Sequence, residues 1–306
     1  MQQGMYHVPV MLDEVIDGLK IIPSGTYVDC TYGGGGHSKA ILEKLDNTGK
    51  LIAFDQDADA KENLLSDSRL IFVPHNFRHL NRFLRFHKIT KVNGILADLG
   101  ISSHQIDIAE RGFSTRFNAP MDMRMNQSEK LNAAKIIATY TEERLHKIFE
   151  EYGEVTNSKT LAKTIVALRK SQLLNTITEF KTALYPIVKG NPEKYLAKVF
   201  QALRIEVNDE LEALKELLSQ APGALEDGGR IAFIAFHSLE DRIIKNFFRY
   251  GNFGEQQKND LYGTHVENDF IIITKKPIVP SPQEIKRNPR SRSSKLRIAE
   301  KKKFQK

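Results

Sequence analysis

Short apolar runs alternate with helical patterns along the first hundred residues. Thr26–Cys30 (TYVDC), Lys50–Asp55 (KLIAFD), Leu70–Pro74 (LIFVP) and Gly94–Leu99 (GILADL) have the length and content of buried strands. Between them, Ser38–Leu45, Ala58–Leu65 and Phe77–Phe86 place apolar residues at helical spacing. Strand and helix in alternation predict a parallel sheet covered by helices on both faces.

The alternation then stops. Ile106 to Pro120 reads as loop, with Gly112, Asn118 and Pro120. From Asn132 to Arg204 five helical segments follow without a strand: NAAKIIATY, EERLHKIFEEY, SKTLAKTIVALRKS, ITEFKTALYPIVK and PEKYLAKVFQALR. Strand signal returns at Arg230–Phe236 (RIAFIAF), between helices near Asp209–Leu218 and Leu239–Arg249, and Asp269–Thr274 (DFIIIT) reads as a closing strand. The expected organisation is one discontinuous α/β domain, residues 1–106 and 205–306, holding an inserted all-helical domain, residues 107–204.

Charge adds a second theme. The net charge is +7, yet Lys275 to Lys306 alone carries twelve Lys and Arg against Glu284 and Glu300, so the rest of the chain is slightly acidic. A basic tail on a near-neutral body suits either a polyanion partner, through counterion release, or a solvated, disordered end, as expected for the final KKKFQK. The N-terminus lacks the layout of a signal peptide, no run is apolar enough for a membrane span, and the one cysteine, Cys30, forms no intrachain disulfide; a cytoplasmic protein with no membrane contact is expected. Zinc spacing and HExxH are absent, and no metal is expected.

The first strand leads into four glycines, Gly33 to Gly36, where a backbone can turn tightly and approach a ligand. Asp55 ends the second strand 22 positions after Gly33, the place for a carboxylate that accepts from ribose hydroxyls. A dinucleotide fingerprint would need glycine at Ser38, and no GK[ST] follows the loop. Asp29, at the end of the first strand, is unfavourable beside pyrophosphate but suits a cationic methionine moiety. S-adenosylmethionine is the nucleotide favoured; a dehydrogenase, or a glycine turn of purely structural purpose, is the alternative.

Eight segments make the reading specific: HVPVMLDE at 7–14, GGGGHS at 33–38, DLGISSHQID at 98–107, RGFS at 111–114, MDMRM at 121–125, FQALRIEVNDEL at 200–211, FHSLEDRIIK at 236–245 and NPRSRSSKLR at 288–297. In these the chain resembles, over nearly its whole length, the bacterial family that methylates the exocyclic N4 of a cytidine in the decoding region of small-subunit (16S) ribosomal RNA. The resemblance implies a Rossmann-like class I methyltransferase domain with a helical insertion for substrate recognition. It implies cofactor contacts at Gly33, Gly35, Gly36, His37, Asp55, Phe77, Asp98 and Gln105.

Cytosine's amino lone pair is delocalised, so catalysis is expected to rest on positioning and on an acceptor for an N4 proton. The [DN]PP[FYW] pattern of many amino-methyltransferases is replaced by Asp98-Leu99-Gly100-Ile101-Ser102-Ser103, which makes Asp98, Ser102 and Ser103 the catalytic candidates. Phe113, Phe117 and Phe236 are candidate stacking faces for an extruded base. Arg111, Arg116 and Arg124 either grip RNA phosphate or order their loop, and Arg290 and Arg292 are candidate RNA contacts. His237 faces the expected substrate edge, while Ser238 reads as a helix N-cap with Asp241 at the third helical position. The expected partner is small-subunit ribosomal RNA, naked or within the assembled subunit. A homodimer, an amino-methyltransferase of DNA or protein, and a non-catalytic RNA-binding assembly factor remain open alternatives.

Overall fold

A computed structural model describes residues 9–253 and 268–303. His7 and Val8 of the first resemblance segment, and the last three residues, lie outside the described residues. Backbone contacts divide the chain into two units, residues 1–100 with 211–306 and residues 101–210.

In chain order the first unit begins with α1 (Leu12–Leu19), β1 (Thr26–Asp29), α2 (Gly36–Lys44), β2 (Lys50–Phe54), β3 (Leu70–Val73), α3 (Leu80–Phe86) and β4 (Val92–Asp98). The helical segments that follow are α4 (Ser103–Asp107), α5 (Ala133–Thr139), α6 (Glu142–Glu151), α7 (Ser158–Leu168), α8 (Ile177–Leu184) and α9 (Pro192–Asn208). The chain ends with α10 (Glu210–Ala224), β5 (Leu225–Ala235), α11 (Ser238–Tyr250), β6 (Phe270–Ile272), α12 (Pro282–Arg287) and β7 (Lys295–Lys301).

The seven strands form one sheet in the order β3-β2-β1-β4-β5-β7-β6. The first five run parallel, and β7 is antiparallel to both β5 and β6. This is a Rossmann-like sheet, and its strand order reverses between β1 and β4, where open sheets bind ligands at the carboxyl ends of their strands. Alternation within the strands sends side chains to two cores. Val28, Ile52, Phe54, Ile95 and Phe233 pack with Leu80 and Leu84 of α3, Leu214 and Leu217 of α10, and Ile244 and Phe248 of α11. On the other face Tyr27, Leu51, Leu96 and Ile234 pack with Val15 and Leu19 of α1 and Ile41 of α2.

The second unit has its own core, among it Met121, Met123, Ile136, Leu145, Phe149, Leu161, Phe180 and Val199. None of the described helices is long and apolar enough to cross a membrane.

Three expectations change. Ala58–Leu65 is not an α-helix but a 3₁₀ turn, Ala58–Asn63, whose start is capped by the Asp57 carboxylate accepting from the Asp59 N–H. Phe77–His79 is a 3₁₀ turn, and the α-helix begins at Leu80. The basic tail is not a loose end: Lys295–Lys301 is β7, and Leu296, Ile298 and Ala299 are fully buried. Charges within β7 have built partners. Arg297 and Lys295 reach Asp241, and Glu300 pairs with Arg230 at 3.0 Å, whose guanidinium also donates to the Gly18 carbonyl. Lys301, expected to belong to a disordered end, is buried and donates to the Leu225 carbonyl.

Candidate active site

The turn after β1 is built by backbone geometry that glycine alone adopts cheaply. Gly33 and Gly35 have φ of 51° and 75°. A Cβ on Gly35 would meet the Tyr32 hydroxyl at 2.8 Å, and one on Gly36 the Pro9 ring at 3.0 Å. In front of Gly34 there is nothing within 4 Å, so the turn offers open space with bare backbone beside it. The Gly33 N–H donates to Asp55 Oδ2 at 2.8 Å, and the Asp57 N–H donates to Oδ1 at 2.8 Å. Burial pushes the Asp55 carboxyl up to about 6; those two hydrogen bonds oppose the shift, and Asp57 and Asp29 add to it.

Behind the turn lies a buried polar group of Asp29, His37, Ser38 and Asp98. Asp29 accepts from the Ser38 hydroxyl at 2.7 Å and from the Thr31 N–H at 3.0 Å. Ser38, the residue that breaks the dinucleotide fingerprint, is thus the donor that holds Asp29. The Thr31 hydroxyl oxygen accepts from the Asp98 N–H at 2.7 Å, tying the end of β4 to the end of β1. His37 Nε2 donates to the Val10 carbonyl at 3.0 Å, which leaves Nδ1 facing Asp98 Oδ2 at 3.8 Å. Burial lowers the His37 pKa against the pull of Asp29 and the Val10 carbonyl, so the ring is neutral.

Asp98 is the outlier of the group. Its Oδ1 is buried and has no hydrogen-bond partner among the described residues. Burial raises its carboxyl well above the usual range, and Asp29, Glu240 and Glu284 push it further. An orphaned buried acceptor is costly unless a ligand completes it. With the open turn, it shows that the residues present fit a nucleotide cofactor carrying positive charge. Cys30, buried beside Asp29, has its thiol pKa raised well above normal by burial, away from the nucleophilic form.

The remaining candidates fall into separate local settings. Phe77, half-buried, opens the 3₁₀ turn capped by Asn76 and packs on the sheet core. In the second unit, Ser102 and Gln105 form a capping box: the Ser102 hydroxyl accepts from the Gln105 N–H and Gln105 Oε1 accepts from the Ser102 N–H. Ser103 is the first residue of α4 and half-buried. Of the two roles expected for the loop arginines, ordering the loop is the one their contacts describe. Arg111 is buried and donates to the Arg124 and Met125 carbonyls. Arg124 pairs with Asp122 at 2.7 Å and donates to the Gln127 and Glu129 carbonyls. Phe113 is buried in the helical core with Arg111 over its ring, whereas Phe117 is exposed beside Arg116. Asn208 of α9 clamps the same loop, accepting from the Met125 N–H and donating to the Met123 carbonyl. Its amide pattern was not singled out from sequence, since nothing local marks an asparagine as a clamp for residues 83 and 85 positions away.

In the first unit, Arg290 is half-buried and Arg292 exposed in a 3₁₀ turn, Pro289–Ser293. The cap of α11 is corrected. His237, not Ser238, is the N-cap, and the third helical residue is Glu240, not Asp241. The Glu240 carboxylate accepts from the Phe236 N–H at 2.8 Å, and Nδ1 of His237 accepts from the Glu240 N–H. Asp241 instead holds Arg297 of β7. His237→Ala is therefore expected to destabilise the protein by about 1 kcal/mol in thermal or urea unfolding, with Ser238→Ala within about 0.5 kcal/mol of wild type. The reverse order would return the cap to Ser238.

A Rossmann-like sheet with a glycine turn, a buried carboxylate just after β2 and an orphan acceptor at its switch point fits a nucleotide-cofactor enzyme. The chain belongs to the MraW methylase family, whose model matches residues 4–302. Its methyl donor is S-adenosylmethionine. Among its relatives, the protein named ribosomal RNA small subunit methyltransferase H of Bacteroides thetaiotaomicron is 53% identical over 298 residues, covering 97% of this chain and 98% of its own. The protein of the same name from Christiangramia forsetii is 50% identical over 297 residues, covering 97% and 98%. Among solved structures, an rRNA methylase from Streptococcus thermophilus is 13% identical with a TM-score of 0.39, covering 95% of this chain and 94% of its own.

Proposed function

We propose that the protein methylates the exocyclic N4 amine of a cytidine in the decoding region of small-subunit ribosomal RNA. The observation that carries the chemistry is the orphaned Oδ1 of Asp98 at the end of β4, beside the glycine turn. The small-subunit RNA target is supported by the names of relatives at half identity over nearly full length.

When bound, S-adenosylmethionine supplies an electrophilic methyl on a cationic sulfonium. Gly33, Gly35 and Gly36 let the backbone approach it, and ionised Asp55 accepts from the ribose hydroxyls. His37, Phe77 and Gln105 complete the proposed cofactor contacts. Beside a cation the Asp98 carboxyl is drawn back to its ionised form. Its Oδ1 then accepts an N–H of the incoming amine, which turns the nitrogen lone pair out of the ring and holds the proton as the new bond forms. Neutral His37, its Nε2 proton held by Val10, turns an unprotonated Nδ1 toward Asp98 Oδ2 and so disfavours the ionised carboxylate until the cation is present. Ser102 and Ser103 act through the turn that follows, since the Ser102 oxygen is engaged in the cap. The helical segment 107–204 is assigned to substrate recognition, with Arg290, Arg292 and His237 as further RNA contacts.

The test is transfer of labelled methyl to small subunits from cells lacking the enzyme, followed by mapping of the modified nucleotide. Label on a single decoding-region cytidine N4 is the expected result. Label on protein or DNA would overturn the substrate, and naked 16S RNA in place of subunits separates the two forms of substrate.

A further inference from the structure

The thirty residues 68–97 contain six Lys and Arg and no Asp or Glu. Three of the six are engaged: Arg69 with Asp67, Arg78 with Glu216 of α10, and Lys91 with the Gly223 carbonyl. Arg82, Arg85 and Lys88 are exposed and form no ion pair among the described residues. They sit on and just beyond α3, whose Leu80 and Leu84 face the core. Arg82, Arg85 and Phe86 are related by three and four positions and so share the opposite face. Phe86 is 75% exposed, more than any other large apolar side chain among the described residues. The neighbouring Phe83 ring is occupied, stacked on His75 at 4.8 Å and edge-on to Phe54. Phe86 meets His87 edge-to-face at 5.0 Å and otherwise stays open to solvent.

We propose that the outer face of α3 is a docking surface for single-stranded RNA, where Arg82, Arg85 and Lys88 hold phosphates and Phe86 stacks on an unpaired base. The proposal rests on the reading of the protein as an RNA methyltransferase, and adds a contact region outside the site that holds the target nucleotide. Unopposed cations gain affinity for RNA by releasing its counterions, and a bare aromatic among them takes any base through its π-face. Glu216, which reaches the residues just before α3, is neutralised by Arg78.

The test compares binding of a short fluorescein-labelled single-stranded RNA with that of a blunt duplex of equal length, over a range of salt. Replacing Arg82, Arg85 and Lys88 together with alanine is expected to reduce the log–log salt slope for the single strand by about 2, near 0.7 per phosphate. Phe86→Ala is expected to weaken single-strand binding about tenfold with the slope unchanged, to leave the duplex within about twofold, and to be rescued by Phe86→Trp. The KM for small subunits rises in both variants while kcat and cofactor affinity hold. An unchanged slope overturns the proposal, as does a Phe86→Ala protein that binds RNA normally but changes its self-association in sedimentation. Wild type that methylates subunits, with α3 variants that do so equally well, sinks this proposal alone. Wild type that transfers no methyl to RNA sinks the reading beneath it.

Discussion

Asp55→Asn is expected to remove S-adenosylmethionine binding while making the cofactor-free protein more stable at neutral pH. The carboxylate is the proposed acceptor for two ribose hydroxyls, and charge-assisted hydrogen bonds contribute about 1.5–3 kcal/mol each. Their loss weakens binding about 100-fold or more in calorimetry. The stability effect has the opposite sign. The folded protein holds the Asp55 proton to about pH 6, whereas an unfolded chain releases it near the ordinary carboxylate value of 3.8. Stability from this group is therefore full below that ordinary value and is lost as pH rises through about 6. At pH 7–8 the ionised, buried carboxylate destabilises by about 1–3 kcal/mol, which the asparagine removes. Asparagine keeps a carbonyl for the Gly33 N–H but gives up the acceptor for the Asp57 N–H, which offsets part of that gain. In the wild type, cofactor affinity should fall about tenfold per unit as pH drops below about 6. Full affinity at pH 5 would show that Asp55 does not bind as an anion, and a melting temperature lowered by the substitution would reverse the stability argument.

Ending the chain after Ser294 is expected to abolish cooperative folding. The cut removes β7, and with it six register pairs to β5 and the partner of β6. Burial of Leu296 and Ile298 contributes about 1.5–3 kcal/mol each. Buried Arg230 and half-buried Asp241 lose the charges that compensate them, and an uncompensated charge as buried as Arg230 costs about 3–5 kcal/mol. Together these reach the whole stability of an ordinary domain, about 5–15 kcal/mol. Circular dichroism and a thermal melt of the truncated chain are the measurement. Arg290→Ala with Arg292→Ala, by contrast, should fold as wild type and lose affinity for RNA. A truncated chain with a native melt would mean that the tail is an appendage after all.

Those two segments show where sequence was informative. Strands β1, β2 and β4 are largely buried on both faces and the edge strand β3 is half-buried; apolar runs such as LIAF and LIFV mark them, so their places could be read to within two residues. KLRIAEK was different: its charges pair with Asp241 and Arg230, more than fifty residues away, and a count of charges cannot distinguish partnered from solvated ones. α1 carried a readable signal in Val15, Gly18 and Leu19 on one face, but its eight residues lie apart from the strand–helix alternation that marks the other elements. At α11 the preference for serine as a cap misplaced the register by one, because the carboxylate that reaches back belongs to Glu240.

The site divides similarly. Gly33 and Asp55 meet as their spacing implied, at 2.8 Å. The tautomer of His37 depends on the Val10 carbonyl, 27 positions earlier, and the isolation of Asp98 Oδ1 depends on packing; neither has a local pattern. Arg111 and Arg124 were legible as loop arginines, but not the carbonyls that absorb them.

The central strand β4 is paired on one side with β1 and on the other with β5, which begins about 130 residues later. During synthesis at roughly 5–20 residues per second, its second edge waits on the order of 6–25 s for a partner. All that time, Ile95, Leu96 and Ala97 present unpaired backbone from the apolar centre of the strand. Inserting residues 101–210 between two neighbouring strands leaves the nascent sheet with an open edge exposed to mispairing, and the yield should be limited by how fast the ribosome reaches β5.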